Sequence, residues 1–135
     1  MTRHPATTAA AIASADEPSG GRALLTLASG DTGVYNPGLK PAKLRQFEEY
    51  LLVLRELFEH GQADCQGNTM KLNWVERPVP ICLAADGPEA LRLGGKVADG
   101  VVDVFSRPLV HDRQRFLERW QRVIASAADS GVDAA

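Results

Sequence analysis

Residues 79–104 read VPICLAADGPEALRLGGKVADGVVDV. The apolar run Val79, Ile81, Leu83 is rich in β-branched side chains and stops at Asp86-Gly87-Pro88. A Gly-Pro pair ends a strand and can open a helix, because proline fits the first helical turn, where a missing N–H costs nothing. Leu91, Leu93 and Val97 then give an apolar face up to Asp99-Gly100, and Val101, Val102 and Val104 resume an extended run. The stretch is therefore expected to be a compact strand–helix–strand unit. Such crossovers join parallel strands in a covered sheet.

The chemistry of that unit lies in its turns. Ala84, Ala85 and Gly87 have small or absent side chains where a strand hands over to a helix N-terminus. Unpaired N–H groups at such a junction favour a phosphate or another anion. The same residues also make a plain tight turn, and spacing alone leaves both readings open.

Working outwards, residues 5–15 (PATTAAAIASA) favour helix, with Pro5 in the first turn and Asp16 to Gly21 as a turn. Glu17 and Arg22 are placed to pair across it. A strand is expected over Ala23 to Ala28. The loop Gly30 to Lys40 (GDTGVYNPGLK) is long for a strand–helix connection, and long ordered loops are more often functional. Asp31 and Thr32 in it either bind a substrate or a polar cofactor tail, or cap local backbone.

Pro41 to His60 is the clearest helix. Leu44, Phe47, Leu51, Leu54 and Phe58 recur at intervals of three and four, giving one apolar stripe. Arg45/Glu49 and Arg55/Glu59 are i,i+4 pairs on the wet side. Residues 62–78 suggest a short hairpin or irregular insertion turning at Gly67-Asn68, with Met70, Leu72 and Trp74 on one side of a strand. A last helix is expected from about His111 to Ala128. Phe116, Trp120, Val123, Ile124 and Ala127 would form its buried face, with Arg113, Arg115, Arg119 and Arg122 as a solvated basic stripe. Residues 129–135 read as a frayed tail.

Composition narrows the class. The chain has 135 residues, 44% hydrophobic, with a net charge of −2, enough for a core and without the basic footprint of a nucleic-acid binder. Cys65 and Cys82 lack metal or redox spacing and read as reduced thiols of a cytoplasmic protein. No apolar run approaches the roughly 20 residues of a membrane span. Ala13-Ser14-Ala15 imitates a signal-peptidase site, but the preceding segment lacks leucine and is too weak for a signal peptide. His4, His60 and His111 are far apart with no carboxylate pattern around them, so no metal site is expected. There is no nucleophile elbow and no phosphate-loop lysine.

Three motifs together carry a resemblance. AADGPEALRLGGKVADGVV resembles the signature of the bacterial-luciferase-like family of flavin- and deazaflavin-dependent oxidoreductases, Ala-Ala-x-Gly-Pro followed by a short helix and Ala-Asp-Gly. Upstream, Arg3-His4-Pro5, Ser19-Gly20-Gly21-Arg22 and Gly30-Asp31-Thr32 resemble its Arg-His-Pro helix, Ser-x-Gly-Arg turn and Gly-Asp-Ser/Thr loop. The last leans towards the methylenetetrahydromethanopterin-reductase-like branch. The resemblance covers about residues 1–105 and implies an incomplete (β/α)8 barrel: an α/β chain supplying about three parallel strands, near 22–28, 79–84 and 100–104. A whole barrel has eight strands and typically about 250 residues.

The resemblance further implies a cofactor, FMN or a 5-deazaflavin coenzyme. Its phosphate would be held by backbone N–H groups at Ala85, Asp86 and Gly87, with Gly100 and Val101 at the next strand end. By the same resemblance Asp31 and Thr32 belong to the substrate or cofactor loop, and His4 has a structural role. FMN implies oxygen activation for monooxygenation; a deazaflavin implies hydride transfer to or from an organic small-molecule substrate. No catalytic acid or base can be named. The expected chain is a fragment of such an enzyme, an inactive truncated product, or a half-barrel completed by another chain. An unrelated barrel enzyme acting on a phosphorylated metabolite would use the same kind of turn. An open sheet also predicts self-association.

Overall fold

The computed structural model describes residues 2–30, 32–103 and 113–131. The chain forms two compact units, residues 1–25 with 29–80, and residues 26–28 with 81–135.

In the first unit, helix α1 spans Pro5–Ser19. His4 caps it: the imidazole Nδ1 accepts the Ala6 N–H at 3.3 Å, so the Arg-His-Pro motif starts a helix. The helix runs four residues beyond the expected end and takes in Pro18. Proline is tolerated there because it lies in the last turn, where its missing N–H breaks only one bond. Gly20, at φ 70°, then stops the helix, with Gly20 N–H donating to the Glu17 carbonyl and Gly21 N–H to that of Asp16.

The expected Glu17–Arg22 ion pair is not formed. The Arg22 guanidinium donates instead to the Ser19 carbonyl at 2.8 Å, and Asp16 closes the turn. Asp16 is 4% exposed. Its carboxylate accepts the Ala23 N–H at 2.9 Å and Arg77 Nε at 2.8 Å, tying the end of α1 to two segments that lead into strands. The Leu25 N–H then donates to the Pro80 carbonyl at 3.0 Å.

Helix α2, Thr32–Tyr35, is a single turn inside the long loop. Gly30 precedes it at φ 137°, where a side chain would also strike Val34. Helix α3 covers Leu44–His60 and buries Phe47, Tyr50, Leu51, Leu54, Leu57 and Phe58. Leu44, expected to begin the stripe, is 37% exposed, as it is the first residue of the helix and has no turn before it. α1 packs on α3, and Thr8 Oγ1 and Tyr50 OH share a hydrogen bond of 2.6 Å.

Strands β2 (Gln62–Cys65) and β3 (Asn68–Lys71) form the antiparallel hairpin. Its turn is one residue earlier than expected, at Gln66-Gly67, both at positive φ. That is the geometry of a two-residue hairpin loop. β3 ends at Lys71, so Met70, Leu72 and Trp74 do not share one side of a strand. Leu72 is buried and Trp74 is 47% exposed.

The second unit holds a three-stranded sheet of order β1 (Leu25–Leu27), β4 (Ile81–Ala85), β5 (Gly100–Asp103). β4 and β5 run parallel, with Cys82 opposite Gly100 and Ala85 opposite Asp103. Between them lies helix α4, Pro88–Val97. The strands are shorter than the apolar runs: Val79 is buried but precedes β4, and Val104 lies outside the described residues. Ile81, Leu83 and Ala85 face the helix layer and are 1%, 0% and 3% exposed. Cys82, Ala84, Gly100 and Val102 lie on the other face, where Val102 is 44% exposed.

The glycines of the signature are explained by packing. A Cβ on Gly94 would sit 2.6 Å from Val101 Cγ2, so this glycine lets α4 approach the sheet. A Cβ on Gly95 would collide with the Val123 carbonyl oxygen, so the adjacent glycine lets the last helix approach α4. That helix, α5, spans Arg113–Asp129. Its packed side differs from the expected one. Val123 and Ala127 are buried, while Trp120 and Ile124 are 44% and 41% exposed. Arg119, assigned to the solvated stripe, is turned inward with its side chain 14% exposed, and Arg122 is exposed. The side chains of Arg113 and Arg115, and residues 132–135 of the tail, lie outside the described residues.

Candidate functional site

The turn after β4 is the junction the sequence singles out. Ala85 is the last residue of β4 and is buried, while Asp86 and Gly87 are exposed. Gly87 is the N-cap of α4 in extended conformation, φ −86° and ψ 154°, with Pro88 as the first helical residue. The Gly87 carbonyl accepts the first intrahelical bond, from Leu91 N–H at 2.9 Å. The N–H groups of Glu89 and Ala90 therefore precede the helical ladder and carry the positive end of the helix dipole. Among the described residues no atom lies within 4 Å of a Cβ placed on Gly87, so these residues leave the mouth of the turn open.

Among the described residues, contacts between opposite charges border it. Arg119 Nη2 of α5 reaches Asp86 Oδ1 at 2.9 Å. Arg92 Nη2 reaches Glu89 Oε2 at 2.7 Å within α4. Each acidic side chain near the helix start thus has its own guanidinium. Open backbone donors and a neighbouring cation suit the phosphate end of a cofactor.

The remaining expected residues are placed differently. The Val101 side chain is taken up by packing against Gly94. A Cβ on Gly100 would stand 2.8 Å from Cys82 Sγ, so that glycine makes room across the parallel ladder. At either position only the backbone is left for a ligand. Asp31 lies outside the described residues, and Thr32 is the first residue of α2. Their loop belongs to the first unit and the turn to the second.

The roles of several residues escaped the sequence reading. Asp99 Oδ2 accepts the Ile81 N–H at 2.8 Å, while Asp99 N–H donates to the Ile81 carbonyl at 2.9 Å. The Ala-Asp-Gly motif thereby clasps the start of β4. Burial, and then the charge of Asp99, push the Cys82 thiol up, which keeps it protonated and a poor nucleophile. Arg119 had a legible signal, since it shares an i,i+4,i+8 row with Val123 and Ala127. Asp16 had none.

Elsewhere, a groove of about 830 Å³ in the first unit is lined in part by Lys40, Lys43, Tyr50, Leu52 and Cys65. Among the described residues no three His, Cys, Asp or Glu side chains gather as a metal site, and no helix is long and apolar enough to cross a membrane.

A parallel strand–helix–strand unit in a three-stranded sheet defines an α/β protein. Comparison with known proteins makes this specific: the chain belongs to the luciferase-like monooxygenase family, whose model matches residues 1–135. It is 34% identical over 111 residues to the 5,10-methylenetetrahydromethanopterin reductase of Archaeoglobus fulgidus, covering 77% of this chain and 33% of that reductase. With the reductase of Methanolobus tindarius the identity is 32% over 139 residues, covering 98% and 41%. Among solved structures, the coenzyme F420 dependent tetrahydromethanopterin reductase of Methanopyrus kandleri superposes with a TM-score of 0.74 at 26% identity, over 98% of this chain and 44% of that one. An F420-dependent secondary alcohol dehydrogenase, solved with an F420-acetone adduct, shares the fold at a TM-score of 0.71 and 19% identity, over 98% and 43%. The chain thus spans between a third and 44% of its relatives' length and has a partial luciferase-like barrel fold.

Proposed function

We propose that this chain carries the phosphate-binding portion of a deazaflavin-dependent oxidoreductase. The observation that carries the reading is the open α4 N-terminus at Gly87, bordered by Arg119, in a chain similar to F420-dependent reductases. The backbone N–H groups of Glu89 and Ala90 would receive the phosphate, with Asp86 and Gly87 forming the lip of the turn. When bound, a 5-deazaflavin supplies hydride transfer to or from an organic substrate. This chain's own contribution is to hold and orient the phosphate end; no side chain of it is assigned a proton-transfer role.

A fluorescence titration of the deazaflavin coenzyme and of FMN tests the reading. Saturable binding of the deazaflavin, tighter than FMN, is expected. Preferential FMN binding would replace it with flavin monooxygenase chemistry. Folded protein that binds neither would contradict the cofactor role.

A second reading has its own support. Among the described residues, the sheet face bearing Cys82, Ala84 and Val102 is only partly covered, with Cys82 and Ala84 half-buried and Val102 44% exposed. That favours a half-barrel assembled with further strands. In this case cofactor would bind only to a complex, and sedimentation analysis would find the chain associated at micromolar concentration.

A further inference from the structure

We infer that residues 73–78 form a strap, latched to α1 by Arg77, that opens while the rest of its unit stays folded.

The segment between β3 and β4 is neither helix nor strand. Two buried residues anchor it, Leu72 at 5% and Val79 at 3% exposure. At the first anchor the Leu72 N–H also donates to the Gly61 carbonyl. Between the anchors Asn73, Trp74, Glu76, Arg77 and Pro78 are all exposed. Among the described residues, the side chains of 73–78 have one polar tie to the rest of the unit. It is the bond from Arg77 Nε to Asp16 Oδ2 at 2.8 Å, across 61 residues of chain. Packing adds little to it. A pocket of about 30 Å³ lies between the strap and α1, with Ala13 and Asp16 on one side and Trp74, Val75 and Arg77 on the other. Side chains that line a void lose the attractive contacts they would make across it.

The seat of the latch, by contrast, is built in detail. The Asp16 carboxylate is buried and is held in place by the Ala23 N–H at 2.9 Å and by Ser19 Oγ at 3.4 Å. Ser19 Oγ in turn accepts the Arg22 N–H at 2.9 Å. Gly21 stands at φ 86°, and a Cβ on it would lie 3.0 Å from Arg77 Nε, so this glycine leaves room for the guanidinium to reach Asp16. The Ser19-Gly20-Gly21-Arg22 motif, to which the cofactor reading gives no task, thus shapes the receptor for Arg77. Removing the arginine would leave a buried carboxylate without its countercharge. A segment with few buried contacts and one strong tie is the kind that opens locally, ahead of global unfolding. The latch, more than packing, decides whether the strap is down.

The test is thiol labelling of the full chain in a Cys65→Ser/Cys82→Ser background. A single cysteine is introduced as Ala13→Cys, on the α1 side of the pocket, or as Ala9→Cys, on the same helix but not lining the pocket. Both alanines are buried, at 4% and 0% exposure. Urea unfolding of each variant gives the labelling rate that global unfolding alone would allow. Ala13→Cys is expected to react at least about tenfold faster than that limit, and Ala9→Cys at the limit. Arg77→Met should speed the reaction of Ala13→Cys by a further tenfold or so, and that of Ala9→Cys only by as much as global stability falls. Gly21→Ala, which crowds the guanidinium, should act in the same direction, and Arg77→Lys should restore part of the protection. Ala13→Cys that reacts only at its global limit would overturn the inference, whether or not Arg77→Met folds. So would an Arg77→Met effect that is equal at the two positions, since Arg77 would then support the whole unit and not a strap.

Discussion

At Asp99 a single residue closes two hydrogen bonds on Ile81, one from its backbone and one to its carboxylate. Ile81 is 1% exposed, so its N–H cannot turn to water. Asp99→Ala should cost about 1–3 kcal/mol, the penalty of an orphaned part-buried donor, read by urea unfolding. A loss under about 0.5 kcal/mol, the scatter of ordinary surface substitutions, would show that the clasp is dispensable. Asp16 gives a pH signature. Hydrogen bonds from Arg77 and from the Ala23 N–H hold its carboxyl below the ordinary range against the opposing effect of burial. A depressed folded-state value means that its stabilisation is complete above the unfolded value, near 4. It is lost as pH falls through the lower folded one. The wild type should therefore lose stability below about pH 4 more steeply than Asp16→Asn. Parallel acid limbs would contradict this assignment.

At the scale of elements, the sequence was most legible where periodicity and punctuation agree. The α3 stripe, the hairpin and the β4–α4–β5 unit are all present, because apolar spacing and glycine turns point the same way in each. It was least legible where one side of a helix had to be chosen. In α5 the apolar residues span a wide arc, and the sequence offers Trp120 and Ile124 as readily as Val123 and Ala127. The close approach permitted by Gly95 selects the side with the smaller residues and brings Arg119 in with them. Pro18 misled for a related reason, since its position in the last turn depends on where Gly20 stops the helix. Part of the candidate site was readable, as the Asp86-Gly87-Pro88 turn is local. Arg119 comes from far along the chain, and no local pattern pairs it with Asp86. The packing account makes a contrast testable by thermal unfolding. Gly95→Ala should destabilise by about 1–3 kcal/mol, because its methyl group meets backbone. Ile124→Ala, on the exposed side of α5, should change stability by less than about 0.5 kcal/mol.

For the whole molecule, the chain keeps the fold of relatives more than twice its length, with which it superposes over 98% of its residues. The part proposed for it above is an anion turn at the N-terminus of α4. The most direct test is titration of the deazaflavin coenzyme into wild-type protein and into Gly87→Asp, with thermal stability followed in parallel. Aspartate is a favoured N-cap residue, and the space before Gly87 is open, so the variant should fold at least as stably as the wild type. Its carboxylate would stand where the phosphate is held. The account predicts saturable binding to the wild type and at least about tenfold weaker binding to the variant, with unfolding unchanged or shifted upward. Equal affinity for the two proteins would place the cofactor elsewhere and contradict the central claim.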